Sequence, residues 1–213
     1  MGRRSLRRPD PSLDLSGALK TFEQLPNPWD AAVLFGRVAP LEIEVGSGKG
    51  LFLRSAAAAQ SEVNFLGIEM AEKYACFAAA TLARHAIKNA VMVHGDALRV
   101  FAELIPADSL AGVHVYFPDP WWKARHRKRR VMKESFLLDI QRTLKPGSLL
   151  HFWTDVEEYF QSTLELIAAC TKLEGPFAVE EKAPEHDFDY RTHFERRMRQ
   201  HDEPIYRSLF RKV

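Results

Sequence analysis

Leu41-Glu42-Ile43-Glu44-Val45-Gly46-Ser47-Gly48-Lys49-Gly50 is the stretch on which the fold turns. Leu41, Ile43 and Val45 alternate with Glu42 and Glu44, which predicts a strand, and glycines at alternate positions close it. Residues 51–60, rich in Ala and Leu, predict the helix that follows. Such glycines let backbone pass close to a ligand and turn into a helix N-terminus. The loop is not a Walker A loop, because Leu51 stands where a Ser or Thr would hold magnesium. A dinucleotide fingerprint would space its glycines as Gly-x-Gly-x-x-Gly and place its acid after them. Here an acid, Glu44, comes first.

Downstream of this unit, residues 64–69, 91–94, 113–117 and 149–153 predict further strands. Helices are predicted over 71–85, near 99–104, over about 133–144 with a stop at Pro146-Gly147, and over 156–170. Strands alternating with helices at this spacing predict right-handed crossovers and an α/β fold, a mostly parallel sheet with helices on both faces. The tail from Phe177 onward is expected to add the last strands, with residues 204–210 the best candidate. Upstream, residues 13–37 form an apolar lead-in punctuated by Pro26 and Pro28 and expected to pack on the main body. The organisation expected is a basic, flexible arm over residues 1–14 and a single domain over residues 15–213.

Composition is that of a globular protein: 46% hydrophobic and 27% charged over 213 residues. The net charge of +2 conceals segregation, since Arg3, Arg4, Arg7 and Arg8 crowd one end and residues 123–133 are basic again. Cys76 and Cys170 lie far apart in no Cys-x-x-Cys pattern, which argues against a zinc site or a disulfide framework and fits a reducing cytoplasm. No metal is expected. No apolar run approaches bilayer length, and Asp10 and Asp14 arrive too early for a presequence, so no membrane association is expected. Nothing implies an obligate protein partner.

The predicted strand ends share a feature. Glu44, Glu69, Asp96, Asp119 and Asp155 lie at or just past the ends of the five strands in order, where α/β sheets bind ligands. Carboxylates sharing one rim repel each other unless ligand hydroxyls, amino groups or cations offset the repulsion. Asp96 and Asp155 could instead cap the helices that follow. Glu is a poor cap, so Glu44 and Glu69 need another purpose, whereas Glu42, farther from the rim, reads as structural.

The fourth strand runs into Tyr116-Phe117-Pro118-Asp119-Pro120-Trp121-Trp122-Lys123, and then into Ala124-Arg125-His126-Arg127-Lys128-Arg129-Arg130. The prolines fix the backbone around Asp119 and remove two amide donors. Both tryptophans offer flat surfaces for a base, although one of them is expected to seal the core. A solvated helix face is the bland account of the basic run. Its near-lack of acids favours phosphate docking, with RNA as the polyanion.

An acid before Gly46-x-Gly48-x-Gly50, with further acids after the next strands, resembles the class I, Rossmann-like S-adenosylmethionine-dependent methyltransferases. That resemblance implies S-adenosyl-L-methionine as cofactor, held by Glu44, Gly46, Gly48, Glu69, Asp96 and Asp119. Within it Glu44 lies near the methionine end, Glu69 takes the ribose hydroxyls and Asp96 lies by the adenine amino group. Residues 117–130 are more specific: the series from Phe117-Pro118-Asp119-Pro120-Trp121 through Lys123, Arg125, His126 and Lys128 to Arg129-Arg130 resembles the signature of the bacterial tRNA (guanine-N7-)-methyltransferases, the TrmB family. Gly67-Ile68-Glu69, Thr154-Asp155, Thr192-His193-Phe194-Glu195 and Pro204-Ile205-Tyr206-Arg207 extend the similarity from about Leu41 to the end. Trp122 and His193 depart from the residues common in the family, each at a variable position of its motif.

The resemblance implies methyl transfer to N7 of a guanine at variable-loop position 46 of tRNA, in the cytoplasm. It gives Asp119 the central active-site role. Lys123, Asp155, Thr192, His193, Phe194 and Glu195 would contact substrate, while Arg125, Arg127, Lys128, Arg129 and Arg130 would hold RNA backbone. The competing expectations are an RNA methyltransferase acting on an exocyclic amino group and a non-catalytic RNA-binding relative. An NAD-dependent dehydrogenase stands third, for want of a hydride-transfer partner.

Overall fold

A strand with Ile43 and Val45 on one side and Glu42 and Glu44 on the other can sit mid-sheet only if its acids find partners or ligands. The computed structural model, which describes Leu6, residues 10–179, Tyr190 and residues 192–213, shows how this is met. Arg3, Arg4, Arg7 and Arg8, which carry the expected basic arm, lie outside the described residues.

The strands are β1 (Leu19–Thr21), β2 (Leu41–Val45), β3 (Asn64–Glu69), β4 (Ala90–His94), β5 (Leu110–Tyr116), β6 (Leu144–Thr154), β7 (Glu174–Phe177) and β8 (Tyr206–Arg211). The helices are α1 (Ala31–Phe35), α2 (Leu51–Ala59), α3 (Glu72–Arg84), α4 (Ala97–Glu103), α5 (Glu134–Thr143), α6 (Glu157–Cys170) and α7 (His193–Gln200). The strands form one eight-stranded sheet in the order β1-β4-β3-β2-β5-β6-β8-β7. All pairs from β1 to β6 are parallel, and β8 runs antiparallel to both β6 and β7. The expected class is borne out: a mostly parallel α/β sheet with helices on both faces.

Alternation along the strands divides the core. Ile43, Val45, Val113 and Val115 face a cluster shared with Val100 and Phe101 of α4, Phe136 and Ile140 of α5, and Tyr159 and Ile167 of α6. The opposite face packs on Phe52, Leu53 and Ala56 of α2 and Ala75, Ala78, Ala79 and Leu82 of α3. Small residues on α3 let α2 approach closely: a Cβ at Gly50 would lie 2.7 Å from that of Ala78. On this face Glu42 finds its partner. Its Oε2 lies 2.7 Å from Nε2 of the buried His114, whose Nδ1 is 2.8 Å from the Tyr116 hydroxyl. Glu42 is structural, as expected.

Several expectations are corrected. The helix near 133–144 ends at Thr143, and Pro146-Gly147 lie within the first half of β6. Strand β7 ends at Phe177, where the tail strands were expected to begin. The lead-in does pack on the main body, with Leu25 buried in one core cluster and Ala18 in the other, and it also supplies edge strand β1. Three residues are too few to show a period, which is why β1 does not read from sequence.

Strand order diverges at β2 and β5, which are neighbours in register (Glu44 beside His114, Val45 beside Val115) although about seventy residues separate them. This is the topological switch point, where the strand ends part and leave a crevice. The glycine loop after β2 and the Phe117–Trp121 corner after β5 therefore open side by side.

Candidate active site

Glu44 and Glu69 lie at the C-terminal ends of β2 and β3, and Asp96, Asp119 and Asp155 just past those of β4, β5 and β6; the strands are parallel, so all five share one edge of the sheet. Among the described residues no three acids, His or Cys gather closely enough to hold a metal ion.

Glu44 is 3% exposed, and its Oε2 has no hydrogen-bond partner. Burial pushes its carboxyl up to about 8; Ser47 opposes the rise and the Glu69 charge adds to it. A buried oxygen left unpaired costs about 1–3 kcal/mol, a cost that a cationic ligand group would offset. Glu69 organises the loop: Gly48 N–H donates to its Oε2 and Ala71 N–H to its Oε1, both at 2.8 Å. Each oxygen keeps a second lone pair for a ligand hydroxyl.

Gly46 and Gly48 take left-handed φ values of 78° and 53°, and a Cβ at either would meet nothing within 4 Å. Open space above a turn of backbone, beside an orphaned carboxyl and a pre-oriented one, fits the methionine and ribose parts of S-adenosylmethionine. Asp96 caps α4 by accepting from Leu98 N–H at 2.9 Å through Oδ1. The cap is thus observed, and it leaves Oδ2 unused. Met70, next to Glu69 and 63% exposed, is an apolar surface on this rim that sequence reasoning missed. The signal was available in its place directly after the strand-end acid.

The corner after β5 is strained. Phe117 (φ 50°) and Trp121 (φ 47°) both take left-handed backbone, at about 1–3 kcal/mol each for bulky residues. They bracket Pro118, Asp119 and Pro120. Phe117 N–H donates to Trp153 O at 2.8 Å, prolonging the β5–β6 ladder, and its ring meets Phe194 of α7 at 4.9 Å. The Asp119 carboxylate is exposed and pairs with no cation among the described residues. Neither Trp121 nor Trp122 joins a core cluster, against the expectation that one of them seals the core. Trp121 is half-buried between the His126 ring (5.8 Å) and the Arg129 guanidinium (5.0 Å), whereas Trp122 is 67% exposed.

The basic run forms a 3-10 turn, Ala124–Arg129, with no buried residue. Lys123, Arg125, Arg127, Lys128 and Arg129 are exposed, and Arg127 NH2 lies 3.4 Å from Glu158 Oε1. Arg130, grouped with them in the sequence, turns inward. Its Nε donates to Pro120 O at 2.8 Å, its NH2 donates to Glu158 Oε2 at 2.7 Å, and it lies 4.4 Å above the Tyr159 ring.

On the far side of the corner, Asp155 follows β6. It does not cap α6; the Thr154 hydroxyl takes Val156 N–H at 3.2 Å instead. Burial raises its carboxyl above the usual range, with Arg197 opposing the rise and Glu203 adding to it. Thr192 caps α7, accepting from Glu195 N–H at 2.9 Å. His193 is exposed and Phe194 reaches the corner, but Glu195 is 2% exposed and lies 3.2 Å from Arg199 and 3.7 Å from Arg207. Of the 192–195 segment, Glu195 points into the protein, where it holds α7 against β8.

Residues 38–208 match the family model Methyltransf_4, described as "Putative methyltransferase". A tRNA (guanine-N(7)-)-methyltransferase of Rhodopirellula baltica is 50% identical over 218 residues, covering 100% of this chain and 80% of that protein. One from Burkholderia pseudomallei is 36% identical over 184 residues, covering 86% of this chain and 68% of that protein. Among solved structures, the aminoglycoside resistance methyltransferase NpmB1 superposes with a TM-score of 0.55 at 20% identity, covering 84% of this chain and 90% of that one. That likeness bears on the fold.

Proposed function

From the chain's membership of the tRNA (guanine-N7-)-methyltransferase family, to which it belongs, we propose that it transfers a methyl group from S-adenosylmethionine to N7 of a guanine in tRNA, at variable-loop position 46. Beyond family membership, one observation carries the reading: the switch point sets an orphaned buried carboxyl and an open glycine turn beside an exposed carboxylate that leads into a basic turn. Residues 15–213 act as the methyltransferase domain and residues 1–14 as a basic arm. The reaction belongs in the cytoplasm; among the described residues no helix is long and apolar enough to cross a membrane.

When bound, the cofactor supplies an electrophilic methyl group on a cationic sulfur. Glu44, Glu69 and Asp96, with backbone at Gly46 and Gly48, would hold it, and Met70 would offer an apolar surface to the adenine. N7 of guanine carries an in-plane lone pair, so no residue has to remove a proton from it. What remains is alignment and charge. Asp119 accepts hydrogen bonds from the guanine edge and offsets the positive charge that the ring gains. Lys123, Asp155, Thr192, His193 and Phe194 surround the base, with Glu195 fixing their helix. Arg125, Arg127, Lys128 and Arg129 carry RNA backbone.

Incubating the purified protein with unmodified tRNA and labelled cofactor should give 7-methylguanosine on nucleoside analysis, and none when 7-deazaguanine replaces the target. Label on an exocyclic amino group would install the competing enzyme reading. Cofactor and tRNA binding without transfer would install the non-catalytic one.

The docking role of the basic turn has its own test. Replacing Arg125 and Lys128 by Ala should flatten the salt dependence of tRNA binding, by about 0.7–0.9 in log–log slope for each phosphate no longer neutralised. Cofactor affinity should hold. An unchanged slope would remove the turn from the RNA interface.

A further inference from the structure

Arg130 closes a loop. Its Nε–H meets the carbonyl of Pro120, the residue after Asp119, and its NH1 and NH2 reach Glu158 at 3.4 and 2.7 Å. Its side chain is 10% exposed and its guanidinium covers the Tyr159 ring. Glu158 and Tyr159 stand in the first turn of α6, and the Tyr159 hydroxyl accepts Met132 N–H at 3.3 Å, pinning the chain two residues beyond Arg130. The 130 end of the 120–130 segment is thereby fastened to α6, and the Pro120 end is tied to it through Arg130. A corner with left-handed backbone at Phe117 and Trp121 needs such fastening, since strain of that kind persists only where surrounding contacts over-determine it. With three of its donors engaged by protein and most of its surface covered, Arg130 is poorly placed to meet a phosphate.

We propose that Arg130, with Glu158 as its anchor, is a positioning residue for Asp119 and not one of the RNA-docking cations. The guanidinium fork bonds a carbonyl and a carboxylate at once. A lysine ammonium keeps the charge but cannot span both in that geometry. The inference rests on the methyltransferase reading for its kinetic arm and is independent of it for its binding arm.

The test uses full-length protein carrying Arg130→Lys, Arg130→Ala or Glu158→Gln. Single-turnover methylation is measured at saturating tRNA and cofactor, and tRNA affinity across a salt series. Arg130→Lys should slow transfer by about 10- to 100-fold, the scale of a misplacement near 1 Å, with tRNA affinity retained. Arg130→Ala should leave the salt slope unchanged. Glu158→Gln, which keeps the shape and leaves Arg130 charged, should also slow transfer without weakening tRNA binding.

A phosphate contact at Arg130 predicts the reverse: a slope lower by about 0.7–0.9 in Arg130→Ala, and a wild-type transfer rate in Glu158→Gln, whose tRNA affinity does not decide the matter because Glu158 also lies 3.4 Å from Arg127. Either result overturns the proposal, as does a wild-type rate in Arg130→Lys. Should the wild-type protein make no 7-methylguanosine, the functional reading falls, and the salt slope of Arg130→Ala still decides whether that side chain faces RNA.

Discussion

Asp119→Asn should lower the single-turnover rate of methyl transfer by on the order of 10²-fold or more, the usual cost of removing a preorganised group aimed at charge that develops in the transition state. Asn keeps the size of the side chain and one acceptor oxygen; it loses the negative charge. The corner backbone is fastened by Phe117 N–H on Trp153 O and by Arg130 on Pro120 O, neither of which involves the Asp119 carboxylate, so the variant should fold and its corner should hold its shape. Affinity for tRNA, set mainly by phosphate contacts, should change little. Quench-flow at saturating substrate gives the comparison. A rate near that of wild type would mean the carboxylate neither aligns the base nor offsets its charge.

Glu44 gives the second large effect. Its carboxyl is pushed up to about 8 from 4.5 by burial, so in the free protein at pH 7 it is mostly protonated. A carboxyl raised on folding contributes stability that is fully present below about pH 4.5 and is lost as pH climbs to about 8. By linkage that loss is on the order of 3–5 kcal/mol across the window. Urea midpoints of the cofactor-free protein should fall from pH 5 to pH 8 in wild type, and Glu44→Gln should remove much of that fall.

Binding a cationic ligand favours the ionised carboxylate, so cofactor binding at pH 7 should release close to one proton. Calorimetry in phosphate and in Tris, whose ionisation heats differ, reads this directly. Equal apparent enthalpies in the two buffers would sink the assignment of Glu44 to the cationic end. Glu44→Gln should bind the cofactor more weakly and release no proton.

What could be read ahead of the structure was what depends on short range. The alternation in residues 41–45 and the glycines after it announce a strand, a turn and a helix, because each signal lies within one turn of the chain. The rim acids were legible for a related reason: a residue at the end of a parallel strand has its address fixed by topology alone. Arg130 was not legible. It looks like its neighbours in composition, and its partner Glu158 stands 28 residues away. The Glu42–His114 contact spans 72 residues. Glu195 illustrates the same limit, since Arg199 is a helical neighbour but Arg207 arrives on β8. The left-handed backbone at Phe117 and Trp121 had no sequence signal, because neither residue is a glycine or asparagine.

That last feature bears on whether the corner is portable. Its residues do not specify their own shape: Pro118 and Pro120 stiffen it, while φ values of 50° and 47° at two aromatic residues run against intrinsic preference. The shape is imposed by Trp153 at one end and by α6 at the other. Transplanted into the matching loop of another sheet, Phe117-Pro118-Asp119-Pro120-Trp121 would relax and aim its carboxylate elsewhere. The unit to graft is the corner together with β6, Arg130 and the first turn of α6, so a five-residue signature stands for a module drawn from more than forty residues of chain.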